Sequence, residues 1–291
     1  MKKNYLFLTF GAVLMLQISC SSAQTTPQPP VIPSTPTTPT TPISYEIDTT
    51  KIVWQDEFEY AGKPDSTKWG YDIGGHGWGN NEKQYYTNSL KNSRVDNGKL
   101  IIEALKESYG ANDYTSARLV TKNKADFTYG RFEIKAKLPK GLGTWPAIWM
   151  LATNQTYGSQ YWPDNGEIDI MEHVGYDQDV IHGSTHSKAL NFMVNTQKTS
   201  VKTILNVSEE YHVYACNWYP DKITMDIDGV LFFYFPKEAS FGWQEWPFDK
   251  PFHLLLNIAI GGNWGGQKGI DDSIFPQKME VDYVRVYGLK K

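Results

Sequence analysis

The sequence predicts an all-β domain, a sandwich or barrel of short antiparallel strands. Three observations lead there. Runs of β-branched and aromatic residues recur with polar residues interleaved, as in Arg131-Phe132-Glu133-Ile134-Lys135-Ala136-Lys137. Turn signals separate the runs: Asp96-Asn97-Gly98, Pro220-Asp221-Lys222 and Asp228-Gly229. No long stretch carries the apolar spacing of an amphipathic helix.

The elements follow in chain order. Residues 1–19 read as an export signal, with Lys2 and Lys3 as its positive end and Leu6 to Leu16 as an apolar stretch too short to span a membrane. Cys20 follows Gln17-Ile18-Ser19 directly. That is similar to a bacterial lipoprotein box, with Gln17 at a position where leucine is common. A lipid on Cys20 would anchor the chain to a membrane, at the bacterial cell surface or as an outer membrane lipoprotein. Cleavage after Ser21-Ser22-Ala23 would instead give a periplasmic or secreted protein. Residues 20–44 are dominated by Thr, Pro, Gln and Ser and predict an extended tether. Residues 45–291 read as one domain, without a second linker or an internal repeat, and a monomer is expected. Strands are predicted over 99–104, 131–137, 223–228, 230–235, 252–258 and 279–287, the third and fourth as a hairpin closing on Asp228-Gly229.

Composition bounds the partners. Of 291 residues, 21% are charged and 40% hydrophobic, which excludes a disordered chain. Aromatic residues reach 14%, enough for both an aromatic core and a cleft that stacks the flat faces of sugar rings. Losing Lys2 and Lys3 with the signal takes the formal charge from −4 to −6. Such a protein is poorly suited to nucleic acid or sulfated polymers. An acylated Cys20 leaves Cys216 without a disulfide partner. In Val213-Tyr214-Ala215-Cys216-Asn217-Trp218 that cysteine reads as a small buried hydrophobe.

The chemistry concentrates in Gly166-Glu167-Ile168-Asp169-Ile170-Met171-Glu172. On a strand, Glu167 and Asp169 share one face while Ile168 and Ile170 share the other. Strict alternation would set Met171 beside the acids and bury Glu172, a costly place for an unpaired carboxylate. One extra residue, a β-bulge at Met171, returns Glu172 to the acidic face. A lone Glu-x-Asp reads as a solvated strand surface. Three crowded acids among aromatics match glycoside hydrolysis, which uses paired carboxyls with separated pKa values. Upstream, Trp145 and Trp149 share a strand face with Ala147, and Pro146, Ile148 and Met150 take the other. The indoles are therefore expected in a groove. Asn263-Trp264 follows two glycines and is expected at a groove wall. His182 and His186 would converge on a metal only from a helix, and Val180 to His186 reads as strand, so no zinc site is expected. His186 is placed beside the acids and His182 in a structural role.

These segments carry a family resemblance. Gly79-Asn80-Asn81-Glu82 and Gln84-Tyr85-Tyr86-Thr87 come first, followed by Tyr129 to Pro139. Thr144-Trp145-Pro146-Ala147-Ile148-Trp149-Met150-Leu151 and the acidic motif come next. Asn257-Ile258-Ala259-Ile260-Gly261-Gly262-Asn263-Trp264 and Val281-Asp282-Tyr283-Val284-Arg285-Val286-Tyr287 close the series. In this order, from about Trp54 to Tyr287, the chain resembles the laminarinase branch of glycoside hydrolase family 16. Its extra residue resembles the bulged subtype, which includes laminarinases, agarases and carrageenases.

The resemblance implies a β-jelly roll of two curved antiparallel sheets, the concave one forming a glycan-binding groove. It implies retaining endo-hydrolysis of laminarin-like β-1,3-glucan. Glu167 is implied as nucleophile, Glu172 as general acid/base and Asp169 as the helper between them. Substrate contacts are implied at Asn81, Arg118, Trp145, Trp149, His186, Asn263 and Trp264, although the usual Ser-Gly-Arg reads Ser116-Ala117-Arg118 here. A structural Ca²⁺ away from the groove is implied on Glu57, the Gly98 carbonyl and Asp282, with no cofactor for catalysis. The alternatives are a mixed-linkage β-1,3-1,4-glucanase, an agarase- or carrageenase-type galactan hydrolase, and a non-catalytic surface glycan-binding protein. The intact acids argue against the last. The Trp-Pro-Ala-Ile-Trp and Gly-Gly-Asn-Trp segments favour glucan.

Overall fold

Where the sequence alternates, it pairs. In a computed structural model that describes residues 44–290, the run around Arg131 forms the strand Gly130–Lys137. Phe132, Ile134 and Ala136 are fully buried on one face, and Arg131, Glu133 and Lys135 are half-buried on the other. This strand lies between His212–Trp218 and Gln277–Leu289, both antiparallel to it. The predicted hairpin forms from Lys222–Ile227 and Val230–Pro236. Asp228 and Gly229 take φ of 51° and 77° at its tip, the left-handed pair that matches strand twist. The turn Asn97-Gly98 does the same between Ser93–Asp96 and Lys99–Tyr109, with φ of 52° and 71°. The signal at 1–19, Cys20 and the tether up to residue 43 lie outside the described residues.

Two sheets result, of ten and seven strands. Pairing is antiparallel except where Gln84–Tyr86 runs beside Asn112–Ser116. The seven-stranded sheet runs in the order Lys198–Thr203, Val180–His186, Glu167–Glu172, Thr144–Ala152, Phe252–Ile260, Arg118–Val120, Gly70–Tyr71. Its inner face supplies Ile148, Met150, Ile168, Ile170, Leu254 and Leu256 to one core shared with Phe132, Ile134, Val284 and Val286 of the other sheet. Each such side chain contributes about 1.5–3 kcal/mol on burial. This is the jelly-roll arrangement of curved sheets, and the outer face of the seven-stranded sheet carries the acids. Phe252–Ile260 is buried on both faces because the core lies on one side and the groove floor on the other. Cys216 is free and buried, as its setting predicts.

The expected calcium donors have other partners. Glu57 accepts two hydrogen bonds from Arg285, each at 2.8 Å. Asp282 faces Lys99 at 3.0 Å and Lys135 at 2.9 Å. Gly98 serves the hairpin turn. Both carboxylates are thus balanced by cations of the chain, and as arranged they do not fit a divalent ion, which would have to displace three basic side chains.

Candidate active site

The bulge falls inside the acidic strand. Asp169 pairs with Trp149 and Met171 with Ile148, which leaves Ile170 as the extra residue. The unpaired residue is therefore Ile170, not Met171, and both point into the core. Two consecutive inward side chains reset the alternation, so Glu167, Asp169 and Glu172 all face the groove. On the far side Glu167 pairs with His186 and Glu172 with His182.

Hydrogen bonds orient the acids. Trp145 donates its indole N–H to Glu172 Oε1 at 2.9 Å. His186 Nε2 lies 3.2 Å from Asp169 Oδ2. Glu167, Asp169 and His186 bring polar atoms within 4.8 Å of one another. Burial first, and then the charge of Asp169, pushes the Glu167 carboxyl up to about 8. Burial and then Glu167 push Glu172 up to about 7. Burial and then Glu172 hold Asp169 well above the usual carboxylate range. Of the two glutamates, Glu167 holds its proton to the higher pH. Crowded carboxyls titrate together, so the protons belong to the cluster of three. The shared direction decides the chemistry: near neutral pH this patch retains protons that exposed carboxyls have lost.

Two half-grooves meet at the acids. One is a tight cavity of about 70 Å³ lined by Trp78, Glu82, Tyr86, Arg118, Trp149 and Asn257. The other is a wider cleft of about 450 Å³ lined by His182, Ser184, His186, Phe192, Thr199 and Trp264. Asn80, Trp145, Glu167 and Glu172 line both. Substrate on either side of the two glutamates would lie in a groove.

The remaining expected contacts divide. Trp145, Trp149, His186, Asn263 and Trp264 all line the groove. Arg118 sits on the floor of the tight half. Its guanidinium lies 4.9 Å from the Trp78 ring and 4.5 Å from the Trp149 ring, a cation held between two aromatic faces. It also pairs with Asp72 at 3.1 Å. Asn81 turns away from the cavities. Its amide donates to Asn263 Oδ1 at 2.8 Å and ties the two wall loops together, and Asn80 lines the groove in its place. The approach of those loops needs glycine: Gly262 has φ of 77°, and a Cβ there would lie 3.0 Å from the Asn80 carbonyl. His182, expected in a structural role, lies at the groove. It lines the wide cleft with its ring edge-on to Trp264 at 4.9 Å.

Sequence reasoning missed Trp78, Tyr86 and Asn257 in the floor, and Phe192 at the rim. Asn257 left a signal, as a polar residue within the apolar run of Phe252–Ile260. Trp78 and Phe192 left none, because loops bring them in.

The site and fold have close counterparts. The model of glycosyl hydrolases family 16 matches residues 80–285. A β-glucanase of Rhodothermus marinus is 57% identical over 242 residues, covering 81% of this chain and 85% of that protein. The X-ray structure of the laminarinase from Rhodothermus marinus matches with a TM-score of 0.82 at 54% identity, over 85% of this chain and 99% of that one. A mutant of SCLam, a non-specific endo-β-1,3(4)-glucanase of the same family, matches with a TM-score of 0.79 at 44% identity, over 85% of this chain and 99% of that one. It presents a 1,3-β-D-cellobiosyl-glucose at its active site. An intact acidic strand at the base of an aromatic groove, on a family model spanning most of the folded part, makes this chain a member of glycosyl hydrolase family 16 and a glycoside hydrolase.

Proposed function

We propose that the chain is a retaining endo-hydrolase of laminarin-like β-1,3-glucan, acting by double displacement. One observation carries this reading: Glu167 and Glu172 project from one short strand at the junction of two half-grooves. Retention needs carboxyls about 5–5.5 Å apart, and two acids on the same face of one short strand, either side of Asp169, suit that spacing. Glu167 attacks the anomeric carbon while Glu172 gives its proton to the leaving glycosidic oxygen. Trp145 occupies Glu172 Oε1, so the proton sits on Oε2. As Glu167 becomes esterified, its shared proton passes to Asp169, beside His186. Glu172, now anionic, takes a proton from water as the water attacks, which frees the sugar with its configuration retained. A groove open on both sides of the acids supports internal cleavage.

The β-1,3 assignment draws on the relatives described as laminarinase and β-glucanase. The relative described as non-specific favours a second reading, hydrolysis of mixed β-1,3-1,4-glucan as well. A polysaccharide panel tests both. Laminarin should be cut fastest, and the first sugar released should be the β anomer by proton NMR. An initial α anomer would overturn the mechanism, whereas activity on agar or carrageenan alone would overturn the substrate. The proposal takes the enzyme as a monomer and leaves out calcium at Glu57, Gly98 and Asp282, because those acids already pair with cations. It also takes the chain to be exported and acylated on Cys20 as a surface lipoprotein. Metabolic labelling with a fatty acid should mark wild type and not Cys20→Ser. An unlabelled mature chain beginning at Gln24 would show simple secretion.

A further inference from the structure

A fourth carboxylate lies in the tight half-groove. Glu82 is 8% exposed and lines the same cavity as Glu167, Asp169 and Glu172. It neither belongs to the acidic strand nor is assigned a step above.

Its hydrogen bonds all point inward, and one series runs in a single direction. Trp149 Nε1 donates to Asn257 Oδ1 at 2.7 Å. Asn257 Nδ2 donates to the Tyr86 hydroxyl at 3.1 Å. The Tyr86 hydroxyl donates to Glu82 Oε2 at 3.3 Å. Gln84 donates to the same oxygen at 2.6 Å and accepts from the Ile260 amide at 2.7 Å. Asn80 reaches Glu82 Oε1 at 3.4 Å. Tyr86, Gln84 and Asn257 are almost wholly buried, so none can exchange a lost partner for water without cost. A carboxylate is the one side chain here that can end such a series, because it accepts repeatedly and donates nothing when ionised.

We propose that Glu82 is a positioning residue: it anchors the floor of the tight half-groove through Tyr86, Asn257 and Trp149, and sets a further carboxyl in the cavity of Glu172. The charges facing it are few. Arg118 approaches from Arg118–Val120 and is itself paired with Asp72. Glu172 approaches from the acidic strand, with Glu167 and Asp169 lining the same cavity. Tyr86 adds a neutral phenol, and Gln84, Asn80 and Asn257 are uncharged. Burial pushes the Glu82 carboxyl up, while the Gln84 hydrogen bond and then Arg118 favour its ionised form, and the ionised Glu82 strengthens the hold of Glu172 on its proton. The inference rests on the functional reading above only for Glu172 as the acid.

Two variants that keep the original side-chain shape separate the roles. Tyr86→Phe deletes the hydroxyl that joins Asn257 to Glu82 and leaves the charge in place. Its kcat/KM should fall roughly tenfold to a hundredfold, with the upper limb of the pH profile unmoved. In Glu82→Gln the amide oxygen can still accept from Gln84 and Tyr86, but the charge is gone. The upper limb of its profile should move to lower pH. Wild-type kcat/KM in Tyr86→Phe, or an upper limb that stays or rises in Glu82→Gln, overturns the proposal. A wild type inactive on every glycan would instead sink the functional reading, a result distinct from either.

Discussion

The two halves of the groove are built on opposite principles. In the tight half, Trp149 donates to Asn257 and also forms one face of the Arg118 sandwich. Asn257 and Tyr86 are hydrogen-bonded to each other as well. The floor is set before any ligand arrives, and its aromatic and polar groups are already engaged. In the wide half, His182 meets Trp264 and Phe192 meets His186 through ring contacts. Trp264 lies edge-on to both His182 and Trp145, at 4.9 Å and 5.5 Å. Phe192 is 49% exposed at the rim, on a short turn capped by Asn191. The lesson is a division of labour. Preorganisation belongs to the tight half, and exposed apolar area belongs to the wider one.

The largest expected effects fall where the halves join. Glu167→Gln and Glu172→Gln should each cost roughly a thousandfold or more in turnover, since each removes an obligatory carboxyl. Circular dichroism should show the fold intact, and near-normal turnover in either variant would refute the assignment. Asp169→Asn should cost roughly a hundredfold, because Asp169 orients the nucleophile and takes its proton but forms no bond to the sugar.

A sharper comparison sets Trp149→Ala against Trp264→Ala. In the tight half, Trp149→Ala strips a stacking face from Arg118 and a donor from Asn257. It should lower kcat/KM roughly a hundredfold and also lower Tm. Trp264→Ala should raise KM severalfold on long glucans and leave Tm nearly unchanged. Equal losses of Tm in the two variants would erase the distinction drawn here.

The smallest effect is on stability. Burial raises Glu172 from 4.5 to about 7 and Glu167 from 4.5 to about 8. The folded state then holds protons that the unfolded chain releases, so stability falls as pH rises through that interval. His173 and His253, pushed down from 6.5 to about 4 and about 3 by burial, act with the opposite sign below 6.5. The carboxyl effect should therefore stand alone between about pH 6.5 and about pH 8, where Tm should decline in wild type and decline less in Glu172→Gln. The activity profile should lose its upper limb near the same values. A rising Tm across that window would contradict the buried-acid account.

Much of the fold was legible because alternation is local. The strands around Phe132, Met225 and Val284 lie where β-branched and aromatic residues repeat with period two, and Asp228-Gly229 turned where its left-handed pair allowed. The acids were legible too, since an unpaired Glu172 turned into the apolar core would have been too costly. Their bulge was mislocated by one residue, because Ile170 and Met171 are both apolar and only pairing with Ile148 tells them apart. Asn81 and Asn80 are adjacent and alike in chemistry. Only the fastening of one loop to Asn263 decides which of them faces the groove.

By itself, then, the sequence determined the strand periods, the turns, the cluster of three acids and the tryptophans that share a face. Each is set by neighbours a few residues away, or by the cost of burying a charge. Tertiary structure alone decided how distant segments share the site. It placed Arg118 between Trp78 and Trp149, His182 against Trp264, and Glu82 at the end of a hydrogen-bond series from Trp149. It also set Arg285 on Glu57, and Lys99 and Lys135 on Asp282, where calcium had been expected. Such contacts join residues far apart in the chain, and no local period records which of several cations or rings will reach a given partner once two sheets have closed on their core.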